Sequence, residues 1–517
     1  MEKKKAKSTT TSKKTTASAK AKTVVKANVE KEEVKEVVTK AETKKKTNGI
    51  FLVLGAVILL VTILTWVIKS GTWNYANDGG ALATFTYNEE VAGQGINEVF
   101  LAIYYAINYY LIQLVFLGVL GLFYGVISKT KGYKVMIKKI ASLFKKNEML
   151  FLLIVSFFIA LFTSFTTQPI VVLAFIPMLY SVAKELKINK VSAMLSTYGA
   201  LAVGLMGLTF GSYGIYYAMT NMNLQFGDGI LYRIIILVVS YLLLNVFTLI
   251  FNKSKDAKNA EITEDNFELV EDESKASAVP YFIIFAVLLV FAILGYIGWD
   301  SAFKLDIFTN FHEWLTTKIV VGNNEFPIIG KILGNVTAFG TWDPYIISYI
   351  MIIIMIIVTI FSKTKFNDVV ENALSGLKKM AKPILLVTLA YTVFVLCYWS
   401  GITNTIVNFF NGGDKLNPYF LGIGNSIANF LHVDVEYTGF ALSQFYVTKF
   451  SSNASQVLAI MTATSGFVTL FAPTSVFMLI GLSLSELSYK DWLKAIWKFL
   501  VALAIVLALV FTIITMI

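Results

Sequence analysis

Long apolar stretches alternate with short polar segments along almost the whole chain. Seven of these stretches have about 20 residues, the length that an α-helix needs to cross roughly 30 Å of hydrocarbon. They lie near residues 49–68, 109–128, 229–252, 280–299, 343–362, 383–399 and 499–517. The pattern predicts an all-α polytopic membrane protein.

Two segments depart from this pattern, because each consists of two short apolar arms around a polar centre. They are residues 149–182 and residues 417–449. Each arm has roughly 12–16 residues, which is too few to span the hydrocarbon comfortably. We therefore predict two re-entrant hairpins, each of which returns to the side of the membrane from which it enters.

Two further apolar stretches, 191–220 and 455–484, are interrupted by Gly, Pro, Ser and Thr, and we predict that they form broken transmembrane helices. Within them, residues 192–212 match residues 455–475 at a spacing of 263 residues. Each half of the chain has the same order of span, lead-in, span, hairpin, broken helix and span. This order predicts an inverted repeat, an architecture that places a binding site near the bilayer midplane.

The positions of the lysines orient the predicted spans. Residues 129–147 contain seven Lys and residues 183–190 contain three, whereas residues 70–98 contain none. Because cytoplasmic loops carry an excess of Lys and Arg, the first two segments are expected inside the cell and the third outside. The N-terminus is then cytoplasmic, and the two hairpins enter the cell membrane from opposite faces.

Composition excludes several other classes of protein. Hydrophobic residues make up 56% of the 517 residues and charged residues 15%, whereas a soluble domain carries about 25% charge. A soluble enzyme, a disordered protein and a disulfide scaffold are therefore excluded. With one Cys and two His in the chain, we predict neither a disulfide nor a metal site, and we expect no cofactor.

The N-terminal tail, residues 1–47, holds 15 Lys and six Glu but no aromatic residue. It cannot bury a core and is expected to be disordered. The tail is either simply solvated or held at anionic lipid, to which each nearby Lys contributes about 1 kcal/mol. Nucleic-acid binding is not expected, because no aromatic side chain is present to stack on bases.

These features divide the chain into four parts. They are the tail, 1–47; a first inverted repeat, 48–252; a segment 253–342 with an acidic cytoplasmic linker, the connecting helix 280–299 and an external loop; and a second inverted repeat, 343–517.

Polar residues at the hairpin tips and helix breaks are the candidate substrate- or ion-binding residues. Backbone groups freed at membrane depth persist only inside protein or beside a water-filled cavity. In the first half the candidates are Ser164, Thr166, Thr167 and Gln168 at the tip and Thr209 and Ser212 at the break. The alternative is ordinary packing of Ser and Thr between helices.

The second half supplies the candidates Asn429, Asp434, Glu436, Thr438, Thr474 and Ser475. Ionisable groups at membrane depth are energetically costly and therefore indicate function. The two acids and His432 could bind a cationic substrate, a coupling cation or a proton. The alternative is a tip that reaches the surface, where the acids are merely solvated, and the alternating pattern there is also compatible with an extended segment.

Three stretches resemble the C4-dicarboxylate anaerobic carrier and YfcC family of the ion transporter superfamily. The stretch 366–406 looks like the amphipathic arm and following span of that family, and 472–500 is similar to its Pro-Thr-Ser break and final helix. The stretch 162–183 occupies the position of its first hairpin. The resemblance covers nearly all of residues 49–517.

This resemblance implies a homodimeric secondary transporter, either an antiporter or a symporter, with elevator-like alternating access. It also implies that substrate and a coupling ion, Na⁺ or H⁺, are held at the hairpin tips and helix breaks. Members are linked to dicarboxylates and to basic amino acids such as arginine and ornithine.

The acids of the second tip, with no Lys or Arg at either tip or break, favour a cationic substrate such as arginine or ornithine. A dicarboxylate or other carboxylate, bound by hydroxyls and helix dipoles, is the alternative. A channel and a membrane enzyme are more remote alternatives.

Overall fold

The fold was analysed in a computed structural model. It describes residues 48–74, 84–91, 93–254, 262, 266–271, 276–326, 328–334, 336–413, 415–432 and 435–517. The Lys-rich tail and Asp434, about which the sequence makes predictions, lie outside the described residues.

The first half is almost entirely helical. Its elements are α1 (Gly49–Val67), β1 (Gly71–Asn74), β2 (Thr84–Tyr87), α2 (Ile96–Tyr109), α3 (Leu111–Ser128), α4 (Lys131–Phe144), α5 (Glu148–Phe165), a 3₁₀ turn (Pro169–Ala174), α6 (Ile176–Glu185), α7 (Lys190–Met194), a π turn (Leu195–Gly199), α8 (Ala200–Met206), α9 (Tyr213–Asn221) and α10 (Ile230–Asn252). Strands β1 and β2 form a small antiparallel pair in which Gly71 lies opposite Tyr87.

The remainder of the chain begins with the connecting helix and three short helices that the sequence does not predict. Its elements are α11 (Val279–Tyr296), α12 (Trp299–Phe303), α13 (Ile307–Thr316), β3 (Ile319–Val321), β4 (Asn324–Phe326), α14 (Ile328–Leu333), α15 (Pro344–Ser362), α16 (Phe366–Ser400), α17 (Ile402–Asn411), α18 (Pro418–His432), α19 (Val435–Phe450), a 3₁₀ turn (Ser451–Asn453), α20 (Ala454–Thr469), α21 (Val476–Leu484) and α22 (Tyr489–Met516).

Within the described residues, eight helices are long and apolar enough to cross a membrane. They are α1, α3, α5, α10, α11, α15, α16 and α22. The prediction of an all-α polytopic membrane protein is therefore confirmed. Helix α5, the first arm of the predicted first hairpin, has 18 residues and is longer than the sequence suggests, because the apolar run continues through Thr163 and Ser164 without a turn signal.

The two helix interruptions occur where the sequence predicts them. The first lies between the end of α8 at Met206 and the start of α9 at Tyr213, and the second between Thr469 of α20 and Val476 of α21. The flanking residues are again 263 positions apart. Gly207 and Pro473 account for the two stops, because one lacks a side chain and the other lacks a backbone N–H.

Helices α3 and α16 cross at glycines, and their backbones touch there. A side chain added at Gly376 would meet the carbonyl oxygen of Gly121 and the Cα atom of Gly125. Small residues spaced four apart permit such an approach between membrane helices. This crossing joins the two halves of the chain and contributes to their shared core.

The acidic linker docks onto the start of α4 and the end of α3. Phe267 is buried, and its ring lies 5.4 Å from that of Tyr124. Lys129 Nζ and Glu268 Oε2 are 2.7 Å apart, and the hydrogen bond and charge of Lys129 lower the pKa of Glu268. The backbone N–H of Val270 donates to the carbonyl of Ser128 at 3.3 Å.

Replacing Phe267 with alanine is expected to release the linker. Burying a phenylalanine contributes about 1.5–3 kcal/mol, whereas an exposed ion pair contributes at most about 1 kcal/mol. Limited proteolysis of the purified protein should therefore cleave the linker of Phe267→Ala about ten times faster or more, and that of Glu268→Gln only slightly faster. The Glu268 contribution is present near neutral pH and is lost as the pH falls through its lowered pKa. Equal cleavage of Phe267→Ala and the parent protein would contradict this account.

Candidate functional site

The turn after α5 is tied to the first helix break by a buried hydroxyl pair. Ser164 Oγ donates to the carbonyl of Gly207 at 2.7 Å and shares a hydrogen bond with Thr209 Oγ1 at 2.8 Å. The carbonyl of Ser164 accepts the backbone N–H of Thr209 at 3.0 Å. These contacts satisfy backbone groups that the interruption leaves without helical partners.

Thr166 and Ser212 form the next contact between the same two segments. The backbone N–H of Ser212 donates to the carbonyl of Thr166 at 2.7 Å. Ser212 has φ 61° and ψ 142°, a conformation that only glycine adopts readily and that costs another residue about 1–3 kcal/mol. Its side-chain oxygen accepts the N–H of Ile215 at 3.4 Å and so caps α9.

Thr167 faces away from this contact and binds the end of the connecting helix α11. Its backbone N–H donates to the carbonyl of Tyr296 at 2.7 Å, and its hydroxyl donates to the same oxygen at 3.2 Å. Thr167 therefore joins the turn after α5 to α11. Gln168, the next residue, lines a cavity.

The second break is held in a similar way by α18, which lies earlier in the same half of the chain. Thr474 Oγ1 donates to the carbonyl of Phe430 in α18 at 2.7 Å. Asn429 Oδ1, also in α18, accepts from Ser465 Oγ of α20 at 2.8 Å. Ser475 Oγ donates to the carbonyl of Thr469 at 2.9 Å and accepts the N–H of Met478 at 3.4 Å, so it caps α21.

Helix α18 continues to His432 and α19 begins at Val435, so the described residues of the segment 429–439 are helical and not extended. The hydroxyl of Thr438 lies 3.4 Å from His432 Nδ1, and both side chains are buried. Glu436 lies in the first turn of α19 and is half-buried.

A small cavity of about 70 Å³ brings the two halves of the chain together. Its polar lining includes residues from four segments. They are Gln168 from the turn after α5, Ser212 from the first break, Glu436 from the second hairpin, and Thr469 and Ser475 from the second break. Ser212 and Ser475 are the N-caps of α9 and α21. Two helix N-termini therefore meet at one cavity, and each presents the partial positive charge of its first backbone N–H groups.

Two cavity residues come from α3 and α16 and were not predicted from the sequence. They are Gln113 and Tyr391. Gln113 Oε1 is buried and has no hydrogen-bond partner among the described residues. Both residues lie inside long spans, where the sequence pattern indicates only lipid-facing or core positions.

Arg233, the sole arginine of the chain, was also missed as a site residue. It lies in the first turn of α10 and is fully buried. Its Nη2 donates to the carbonyl of Thr209 at 3.3 Å. No Lys or Arg lies within either tip or break, but Arg233 reaches the first break from 24 residues further along the chain.

The twelve predicted site residues do not all meet. Gln168, Ser212, Glu436 and Ser475 line the cavity. Ser164, Thr166, Thr167, Thr209, Asn429, Thr438 and Thr474 lie in the supporting contacts described above, and Asp434 is outside the described residues. In the described part of the chain, no three His, Cys, Asp or Glu side chains are grouped closely enough to hold a metal ion.

Comparison with known families decides the general class of this protein. The family model for CitMHS, the citrate transporter family, matches residues 43–315, just over half of the chain. The chain belongs to this citrate transporter family. It is accordingly a multi-pass membrane transporter and not an enzyme.

Two further comparisons complete this description of the citrate transporter family member. A solved structure of the YdaH transporter of Alcanivorax borkumensis is similar with a TM-score of 0.40 at 11% identity, over 90% of this chain and 97% of that chain. No curated protein sequence matches the chain significantly.

Proposed function

We propose that the chain is a secondary active transporter for small carboxylates, such as di- and tricarboxylates, and that it binds them in the cavity between the two breaks. The observation that carries this proposal is the meeting of two serine-capped helix N-termini, those of α9 and α21, at one cavity. Helix N-termini bind anions through free N–H groups and the helix dipole. In transporters with broken helices they face substrate carboxylates.

Binding of a carboxylate beside Glu436 requires a cation that compensates one of the two negative charges. Its carboxylate lines the same cavity, and two like charges at a buried site repel each other strongly. A proton on Glu436 would remove this repulsion. A neighbouring cavity of about 20 Å³, lined by Ser212, Thr462 and Ser465, has the size of one water or Na⁺ ion. We propose H⁺ at Glu436 or Na⁺ at this second cavity as the coupling ion.

The cavity of about 70 Å³ is much smaller than the roughly 300–1,000 Å³ of most small-molecule sites. Substrate binding therefore requires the breaks and the second hairpin to move apart.

We propose an elevator-like alternating access in a homodimer at the cell membrane. We further propose that the N-terminus is cytoplasmic and that the Lys-rich tail binds anionic lipid.

A cationic amino acid such as arginine or ornithine is the second candidate substrate. Glu436 is the observation that favours it, because a carboxylate in the cavity would pair with a guanidinium or ammonium group. The position of Arg233 beside the first break weighs against it.

Counterflow in proteoliposomes tests these proposals. Vesicles containing the full chain and loaded with unlabelled solute would be offered labelled citrate, succinate, arginine or ornithine. We expect citrate or succinate to exchange and arginine not to. Glu436→Gln should retain this exchange but lose the pH dependence of net uptake, and Glu268→Gln, which changes a carboxylate outside the cavity, should behave as the parent protein.

Three other outcomes would change the assignment. Arginine counterflow that disappears in Glu436→Gln would establish the second candidate. A dependence of uptake on Na⁺ but not on pH would move the coupling ion to the second cavity. Absence of counterflow for all four solutes would overturn the substrate classes proposed here.

A further inference from the structure

Arg233 is a buried cation whose hydrogen bonds are incomplete. Its side chain is fully buried in the first turn of α10. Nη2 donates to the carbonyls of Thr209, at 3.3 Å, and Phe226, at 3.5 Å. Nε and Nη1 have no partner among the described residues. Burying a charge with unsatisfied donors is costly, and such a charge within a candidate membrane span indicates a functional role.

The acid that acts electrostatically on Arg233 is Asp228, at the end of the preceding loop. Asp228 is exposed to solvent, and its Oδ2 accepts the backbone N–H of Gln225 at 2.8 Å. An exposed carboxylate is screened by water, so it offsets only part of the field of a buried guanidinium. A net positive potential therefore remains behind the first break.

Arg233 also occupies one of the carbonyl groups of the first break. An unwound segment with free carbonyls attracts cations, whereas one with free N–H groups attracts anions. Here the carbonyl of Gly207 accepts Ser164 Oγ, and the carbonyl of Thr209 accepts Arg233. The carbonyl oxygens of Gly207 and Thr209 therefore already accept hydrogen bonds. Both residues precede the cap Ser212 by three residues or more.

We propose that Arg233 is a positioning residue that makes the first break selective for anions. It holds the Thr209 carbonyl toward α10 and places a positive charge behind the N-terminus of α9, without itself lining the cavity. The inference rests on the proposed function, in that the anion is taken to be a carboxylate substrate.

The transport arm of the test compares substrates of different charge. Counterflow of labelled citrate and labelled succinate would be measured for the parent protein, Arg233→Met and Arg233→Lys. Loss of a positive charge weakens the binding of a trivalent anion more than that of a divalent one. In Arg233→Met, KM should therefore rise about tenfold or more for citrate and less for succinate. Arg233→Lys should recover most of the citrate affinity. Lys253→Met, a charge removal at the far end of α10, is the matched control and should leave KM unchanged.

A second arm does not depend on the substrate. In a Cys397→Ala background, Ser212→Cys places a single thiol in the cavity. A nearby positive charge favours the thiolate, so the pH of half-maximal alkylation should rise by about one unit when Arg233→Met is added and stay unchanged with Arg233→Lys. Glu436 is present in all of these variants and does not alter the comparison.

The two arms separate failure of this inference from failure of the proposed function. If the parent protein exchanges neither citrate nor succinate, the proposed function fails, and the thiol midpoint alone decides the role of Arg233. An unchanged thiol midpoint in Arg233→Met overturns the inference. A loss of maximal rate that is the same for citrate and succinate, with KM unchanged, would also overturn it, because that result describes a general structural role.

Discussion

Replacing Gly376 with alanine is expected to destabilise the folded chain by about 3 kcal/mol or more. The added methyl group would meet the backbone of Gly121 and Gly125 in α3, and no side chain can move aside to accept it. Overpacking of an ordinary core costs about 1–3 kcal/mol, and a clash between backbones should reach or exceed the upper end of that range. The measurement is the unfolding midpoint of the purified variant, together with its elution as a single species from size-exclusion chromatography.

Gly118→Ala is the matched control for this change. Gly118 lies on α3, the helix that Gly376 of α16 contacts, but a methyl group at Gly118 would be 3.6 Å from Leu377 Cδ1, which is an ordinary contact. Its unfolding midpoint should stay near that of the parent protein or rise slightly, because alanine favours a helix over glycine. If Gly376→Ala and Gly118→Ala unfold alike, the close crossing of α3 and α16 is incorrect.

Ser164→Ala is expected to reduce transport by about a hundredfold and to destabilise the protein. The substitution removes the donor to the Gly207 carbonyl and the hydroxyl that shares a hydrogen bond with Thr209. Leaving the buried Gly207 carbonyl without this donor costs about 1–3 kcal/mol, whereas Thr209 Oγ1 keeps its 3.1 Å hydrogen bond to the Ser164 carbonyl. Because these groups join the first turn to the first break, their loss displaces the Ser212 cap as well. Counterflow rates and the unfolding midpoint are the measurements.

The neighbouring residue provides an unusually close control. Thr163 is as fully buried as Ser164, but its Oγ1 has no hydrogen-bond partner among the described residues. Thr163→Val therefore removes an unsatisfied hydroxyl at nearly constant shape and should be neutral or stabilising. A loss of transport in Thr163→Val equal to that in Ser164→Ala would show that the site tolerates no change at all, and would remove the argument from the Ser164 contacts.

Much of the architecture could be predicted from the pattern of apolar residues, because length and hydropathy act within each span. The breaks at Met206–Tyr213 and Thr469–Val476 follow from Gly, Pro and hydroxyl residues close in sequence. The length of α16 is harder to predict from the sequence. Its amphipathic lead-in and its span form one helix of 35 residues, and Pro383 lies inside it. Proline usually breaks a helix, because it lacks a backbone N–H, so the sequence favours a boundary at this position.

The site was only partly predictable, for a physical reason. Gln168, Ser212 and Ser475 follow from the local interruption of a helix, which the sequence records. Gln113, Tyr391 and Arg233 reach the site only through packing between helices distant along the chain. The argument for a cationic substrate considers the acids of the second tip alone, whereas the contact of Arg233 with the first break favours the proposed anionic substrate.

The backbone of Ser212 bears on the balance between the conformations of the transporter. Its left-handed geometry costs about 1–3 kcal/mol in the present state. Any alternative state in which Ser212 relaxes gains that amount, equivalent to about a 5- to 150-fold change in relative population. Ser212→Gly would remove this cost, so in the proposed alternating-access cycle it would shift the resting population toward the state described here.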